Sequence, residues 1–178
     1  GQVITDRFPV LTYGSMPVID LRSWRLRILG LVEEEVVLSW YEFMELPRIT
    51  VRADFHCVTR WSRLDNLWEG VSFKEISKVT SIQAEAKYVT FSCFGGYTTS
   101  LALETLMADD VLLAHHHDGR PLDREHGWPM RLVVPKRYGW KSAKWVKSIE
   151  YLTQDEGGFW EKRGYSGNAD PWKEERFC

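Results

Sequence analysis

Apolar and polar side chains alternate with a period of two along Arg25-Leu26-Arg27-Ile28-Leu29-Gly30-Leu31-Val32, and again along Ile49-Thr50-Val51-Arg52-Ala53-Asp54-Phe55. That spacing puts one face of a segment in a core and the other in water, the signature of a half-buried strand. Between the two, Ser39-Trp40-Tyr41-Glu42 carries the serine and glutamate of a capping box, opening a helix that stops near Leu46-Pro47. Ser72-Phe73-Lys74-Glu75 repeats the signature. Further apolar strands are expected at Lys87 to Cys93, Thr98 to Leu103, Val111 to His115, Met130 to Pro135 and Lys147 to Leu152. This order fits an α+β fold of mixed or antiparallel β-sheets with short helices better than regular βαβ winding. No internal repeat, low-complexity linker or composition break interrupts the 178 residues, so a single domain over 1–178 is expected.

Charge and hydropathy narrow the function classes. The 23 Lys and Arg are offset by 25 Asp and Glu, without the basic excess of a nucleic-acid-binding domain. No apolar run approaches the roughly 20 residues needed to cross a bilayer. Gly1 to Arg7 do not read as an export signal. A cytoplasmic location is therefore expected, or a periplasmic one if an export leader was trimmed. Three cysteines, Cys57, Cys93 and Cys178, are too few for a disulfide framework and form no Cys-x-x-Cys zinc pair. Cys93 lies in apolar company and is expected to be a small core residue.

Cys57 is different. It lies in Asp54-Phe55-His56-Cys57-Val58-Thr59-Arg60-Trp61-Ser62, at a strand end and between a histidine and an arginine, the setting of a soft metal ligand or a nucleophile. A distant segment, Gly139-Trp140-Lys141-Ser142-Ala143-Lys144-Trp145, combines a glycine, a hydroxyl and two ammonium groups, which suits a terminal phosphate. It lacks the glycine spacing of a Walker loop, and a solvated basic turn has the same letters. His126-Gly127-Trp128-Pro129-Met130-Arg131 places a second anion-seeking turn before the strand Leu132-Val133-Val134-Pro135. Among nine tryptophans, Trp61, Trp68, Trp128, Trp140 and Trp145 adjoin these motifs, where flat rings either wall a pocket for a fused-ring ligand or simply pack.

Taken together, Cys57-Val58-Thr59-Arg60-Trp61-Ser62, His126 to Pro135 and Gly139 to Trp145 resemble, in order and spacing, the molybdopterin-binding domain of the sulfite oxidase superfamily. The resemblance implies that superfamily's fold and a molybdenum–molybdopterin cofactor whose metal takes one protein thiolate, from Cys57. It implies pterin and phosphate contacts at His126 and Arg131, and a phosphate turn at Ser142, Ala143 and Lys144. Tyr13 and Gly14 stand where the family's N-terminal cofactor segment lies, Ser92 is a contact candidate on the strand after the Cys57 region, and Tyr165 resembles a tyrosine that reaches toward the metal. Arg60 and Arg63 offer positive charge at the mouth.

Departures from the family bear on the substrate. Sulfite-oxidising members have an arginine where this chain has Leu11-Thr12-Tyr13, and a further substrate arginine in an additional domain, so sulfite is not assured as substrate. The substrate class implied is small and sulfite-like, a sulfoxide or an N-oxide. With no haem domain in the sequence, a separate electron donor or acceptor is implied. The Cys-Val-x-x-Trp-Ser context is nearer the bacterial stand-alone members, among them catalytic subunits that reduce protein methionine sulfoxide. Two other readings stay open on the residues: a cysteine-nucleophile enzyme using His126 or one of His115 to His117 as base, and a Trp-rich interaction module without catalysis. The His115-His116-His117 run has the letters to bind a divalent metal, but is expected to end a strand at the turn His117-Asp118-Gly119, where only one ring need face any site.

Overall fold

The computed structural model describes Gly1 to Cys178. In chain order its elements are β1 (Val3–Ile4), β2 (Arg25–Gly30), β3 (Val36–Ser39), α1 (Trp40–Glu45), β4 (Ile49–His56), β5 (Trp61–Ser72), α2 (Phe73–Ile76), β6 (Tyr88–Cys93), β7 (Thr98–Ala102), α3 (Leu103–Leu106), β8 (Leu112–His117), β9 (Arg120–Pro121), β10 (Arg131–Val133) and β11 (Val146–Leu152). One sheet is built around β5: β4 lines one edge, β1 and β8 share the other, and β10 and β9 continue beyond β8. The second runs β3-β2-β11-β6-β7. Only β1 with β5 and β2 with β11 pair in parallel, so the sheets are mixed and the α+β expectation holds.

Period-two alternation decides which residues face inward. In β2, Leu26 and Ile28 are buried and Arg25 and Arg27 exposed. Together with Phe91 of β6, Ile149 of β11, and Leu113 and Leu132 of the first sheet, they form the main core between the sheets. Each such side chain contributes about 1.5–3 kcal/mol. Cys93 sits in this core at 0% exposure, and burial pushes its thiol up to about 12, so it packs rather than reacts. The far face of the first sheet carries a smaller cluster around Phe55, Trp68 and Val133, against which Phe8 and Trp61 lie.

Both capping signatures form: Ser39 and Glu42 exchange side-chain and backbone hydrogen bonds, and the Ser72 hydroxyl accepts from Glu75 N. The helix α1 ends at Leu46 because the following Pro47 disfavours a helical residue before it. The main element absent from the sequence reading is β5, the longest strand, whose buried face holds Ser62, Asn66 and Gly70 beside Trp68. Polar and backbone-only positions there hide the alternation. Gly70 is needed because a Cβ would stand 2.1 Å from Leu113 O of β8.

Candidate active site

The turn between β4 and β5 sets Cys57. Cys57 N donates to Trp61 O at 2.9 Å, Arg60 N donates to Cys57 O at 3.1 Å, and Arg60 is left-handed at φ +73°. This is a three-residue loop closed by a left-handed residue, a conformation that costs a non-glycine about 1–2 kcal/mol. The Gln2 amide reinforces it by donating to Cys57 O at 3.0 Å and Trp61 O at 2.9 Å. The thiol itself is 7% exposed, with Thr59 Oγ1 3.1 Å from Sγ. His56 is occupied elsewhere, its Nδ1 2.7 Å from Ser62 Oγ and its ring edge-on to Trp172.

The two basic turns meet across β10. Leu132 N donates to Ala143 O at 2.8 Å, Arg131 and Lys144 are β-bridge partners, and the Ser142 hydroxyl accepts from Val134 N at 2.9 Å. Arg131 is 3% exposed and donates to His126 O at 3.0 Å and Ser142 O at 2.7 Å. Its guanidinium lies 5.9, 5.3 and 5.6 Å from the ring centres of Phe8, Phe55 and Trp68. Burial presses its pKa down to about 9, which still leaves it charged at neutral pH. Lys144 Nζ donates to Leu11 O at 2.9 Å, Thr12 Oγ1 at 2.6 Å and Glu125 O at 2.8 Å. Neither cation pairs with a carboxylate. Buried charge is normally neutralised by a partner, so the pair leaves a positive field suited to an anion. His126 is driven toward its neutral form by burial; its Nε2 lies 2.9 Å from Phe8 O, which can only accept, so that nitrogen carries the proton.

Lys141 corrects the sequence reading. Expected to help neutralise a phosphate, it is instead fully buried, donating to Ser100 O at 2.6 Å and pairing with Glu161. Gly139 acts through its missing side chain. Its φ is ordinary, and a Cβ there would stand 2.7 Å from the Phe55 ring, so the missing side chain makes room for an aromatic wall.

Cys57 and the cations line one cleft of about 440 Å³, within the range of small-ligand sites. The cleft also gathers Tyr13, His126, Ser142, Ala143 and Tyr165 among the expected residues. Trp61, Trp140 and Trp145 wall it, whereas Trp68 is buried behind Arg131 and Trp128 packs beside the smaller core. Four expected residues lie off the wall, among them Arg63, which pairs with Asp118 at 2.6 Å. Arg60 is exposed at the turn tip; Gly14, at φ +75° with open space around it, follows Tyr13 away; Ser92 shares the outer face of β6 with Thr90, opposite the core-facing Phe91. Phe8, Phe55, Tyr97 and Trp160 also line the cleft. Only Phe55, two residues before Cys57 on an alternating strand, carried a local signal.

The oxidoreductase molybdopterin binding domain family matches residues 13–160. The chain belongs to that family. Oxidoreductase YuiH of Bacillus subtilis is 43% identical over 99% of this chain and 90% of its own length. A putative protein-methionine-sulfoxide reductase subunit, YedZ1 of Azospira oryzae, is 30% identical over 92% of this chain and 63% of its own. The sulfane dehydrogenase SoxCD of Paracoccus pantotrophus shares the fold at a TM-score of 0.77 and 23% identity, covering 87% of this chain and 44% of that one. The protein is thus a molybdopterin oxidoreductase of the sulfite oxidase superfamily, and its cofactor is molybdenum–molybdopterin. Membership excludes the interaction module as an account of this domain.

The residues present suit that cofactor: a thiol on the wall, aromatic planes beside it, and two cations without carboxylate partners. One expectation concerns Lys144, whose pKa burial first, and the Arg131 charge second, bring down to about 7. A phosphate favours the ammonium form and raises that pKa on binding. If Lys144 takes the phosphate, cofactor affinity should be greatest below pH 7 and fall, by at most about tenfold per pH unit, as pH rises above it. Lys144→Ala should weaken retention roughly 10–100-fold, the size of a charge-assisted hydrogen bond. Lys144→Arg should flatten the pH profile. Molybdenum content after desalting at pH 6.5 and 8.5 checks both; unchanged content in Lys144→Ala counts against the cradle.

Proposed function

We propose that this protein moves one oxygen atom between a small substrate and a molybdenum centre ligated by Cys57. The observation that carries the reading is the convergence on one cleft of the Cys57 thiol and the uncompensated charges of Arg131 and Lys144. When bound, molybdopterin supplies an oxygen-atom exchange coupled to two electrons.

The chain's own residues then have distinct tasks. Arg131, Lys144 and the Ser142–Ala143 turn bind the phosphate end, His126 fixes the segment at Phe8, and the aromatic walls exclude water. Cys57 holds the metal, as a soft donor on a rigid turn. Tyr165 lines the cleft with Trp140 and Trp160, ring centres 5.2 and 4.9 Å away, and in this reading donates a hydrogen bond to substrate oxygen. A cysteine-nucleophile reading has no geometric support, because the side-chain partner of Sγ is the Thr59 hydroxyl rather than a histidine.

Charge argues for the substrate class. Arg131 and Lys144 are the arginine and lysine of the cleft wall, and this reading assigns both to the phosphate. An oxyanion such as sulfite then meets no free cation, whereas a neutral sulfoxide or N-oxide needs none. Sulfoxide reduction, R₂SO + 2e⁻ + 2H⁺ → R₂S + H₂O, is favoured, with electrons from a separate protein. No helix is long and apolar enough to cross a membrane. Molybdenum-loaded protein assayed with sulfite, sulfoxides, N-oxides and nitrate, using a dye as electron carrier, should turn over sulfoxides best. Preference for sulfite overturns the charge argument, and turnover of none overturns the function.

A further inference from the structure

A second constellation lies on β5 and β8. Glu69, His115 and His116 bring a carboxylate oxygen and two imidazole nitrogens within 4.8 Å of one another. Consecutive residues of a regular strand point to opposite faces, so adjacent histidines should not meet. Here the pairing steps from Glu69↔His116 to Gly70↔Ala114, which leaves His115 as the extra residue of a β-bulge. The bulge turns both rings to one side, with ring centres 4.8 Å apart and the two Nδ1 atoms 2.5 Å apart. His117, beyond the bulge, faces the other way onto Trp68 and Asn66. Two rings of this run, rather than the one required, thus share a side.

The surroundings suit a cation. His115 is 2% exposed, while His116 and Glu69 are half-buried and leave a route from solvent. Arg48, the charged group facing the cluster from outside, stands 3.6 Å from Glu69 Oε1 and leaves the second carboxylate oxygen free. Two nitrogens in such contact cannot both carry a proton, so one lone pair points between them. Burial, with the neighbouring His116 second, brings the His115 pKa down to about 4.

We propose that Glu69, His115 and His116 bind one divalent ion of the zinc class, at a site separate from the molybdenum cleft. Two imidazoles, a carboxylate and a water make the tetrahedral N/O set such an ion takes. Bonds of about 2.0–2.1 Å require the two nitrogens to open to roughly 3.3 Å, a small rotation of the half-buried His116 ring. None of the three residues lines the cleft, and Glu69 stands eight residues along β5 from Trp61, about 26 Å of strand. The ion would clamp β5 to β8 at the bulge.

The test uses the holoprotein after dialysis against a chelator, titrated with Zn²⁺ in competition with a chromophoric chelator, and separately with Co²⁺. Expected are one equivalent of zinc, a rise in Tm on its addition, and cobalt d–d bands without a thiolate charge-transfer band. His116→Ala and Glu69→Gln should each bind at least about tenfold more weakly, since even losing a residue that only orients a ligand costs roughly 10–100-fold. Their Tm in chelator should match the parent's, and zinc should no longer raise it. Absence of stoichiometric zinc, unchanged affinity in both variants, or a thiolate band from cobalt would overturn the site, whatever the outcome for sulfoxide turnover.

Discussion

Cys57→Ala protein is expected to fold, to retain pterin, and to lose substrate turnover by more than the roughly 10–100-fold lost when a residue that only orients a metal ligand is removed. The fold should survive because Sγ sits on a cleft wall, with the Thr59 hydroxyl as its one side-chain hydrogen-bond partner, and the turn is held by backbone bonds and the Gln2 amide. Pterin should stay because the groups assigned to its phosphate stand on β10 and the turn paired with it. Molybdenum and pterin stoichiometry measured beside dye-linked turnover checks all three points. Full activity in the variant would refute Cys57 as the metal's protein ligand.

Glu161→Ala should cost about 3–5 kcal/mol of stability, the range for removing one partner of a buried ion pair. The side chains of Lys141 and Glu161 are 0% and 6% exposed, and Glu161 also accepts from Thr99 Oγ1 at 2.8 Å and Gly158 N at 3.2 Å. Truncation removes the carboxylate from a fully buried ammonium and leaves it only the Ser100 O hydrogen bond. In a chain of this length each kcal/mol moves Tm by about 2–4 °C, so a fall of roughly 6–20 °C is expected by calorimetry. Adding Lys141→Met should restore most of it, because a buried pair exchanged for apolar packing is often near neutral. No recovery in the double variant would mean that the lost contacts to Thr99 and Gly158 dominate. The pair also fastens the segment bearing Trp160 and Tyr165 against β7, so loosening it should disturb the cleft as well.

Elements were legible in the sequence wherever their signals are local. Alternation in β2 and β4 and the Ser39 and Ser72 caps are read within a few residues, and they formed as expected. The strand β5 escaped because Asn66 is buried by hydrogen bonds to Ala53 O, Arg63 O and His117, partners that only the folded sheet supplies. The same limit hid Lys141, whose carboxylate lies twenty residues on and whose neighbour Lys144 has similar letters but the opposite environment. Adjacent histidines read as facing apart until a bulge, invisible in the letters, turned them together.

The Lys144 ammonium has three protons to donate, and Leu11, Thr12 and Glu125 accept all three. A phosphate oxygen can reach that nitrogen only by displacing one of these acceptors, two of which belong to the N-terminal segment crossing the cleft. With Lys144 assigned to the phosphate as proposed, the early chain and the cofactor become rivals for one group, and loading the enzyme is expected to be an exchange reaction. Substitutions near residues 8–13 would shift how fast cofactor enters and leaves without touching the metal.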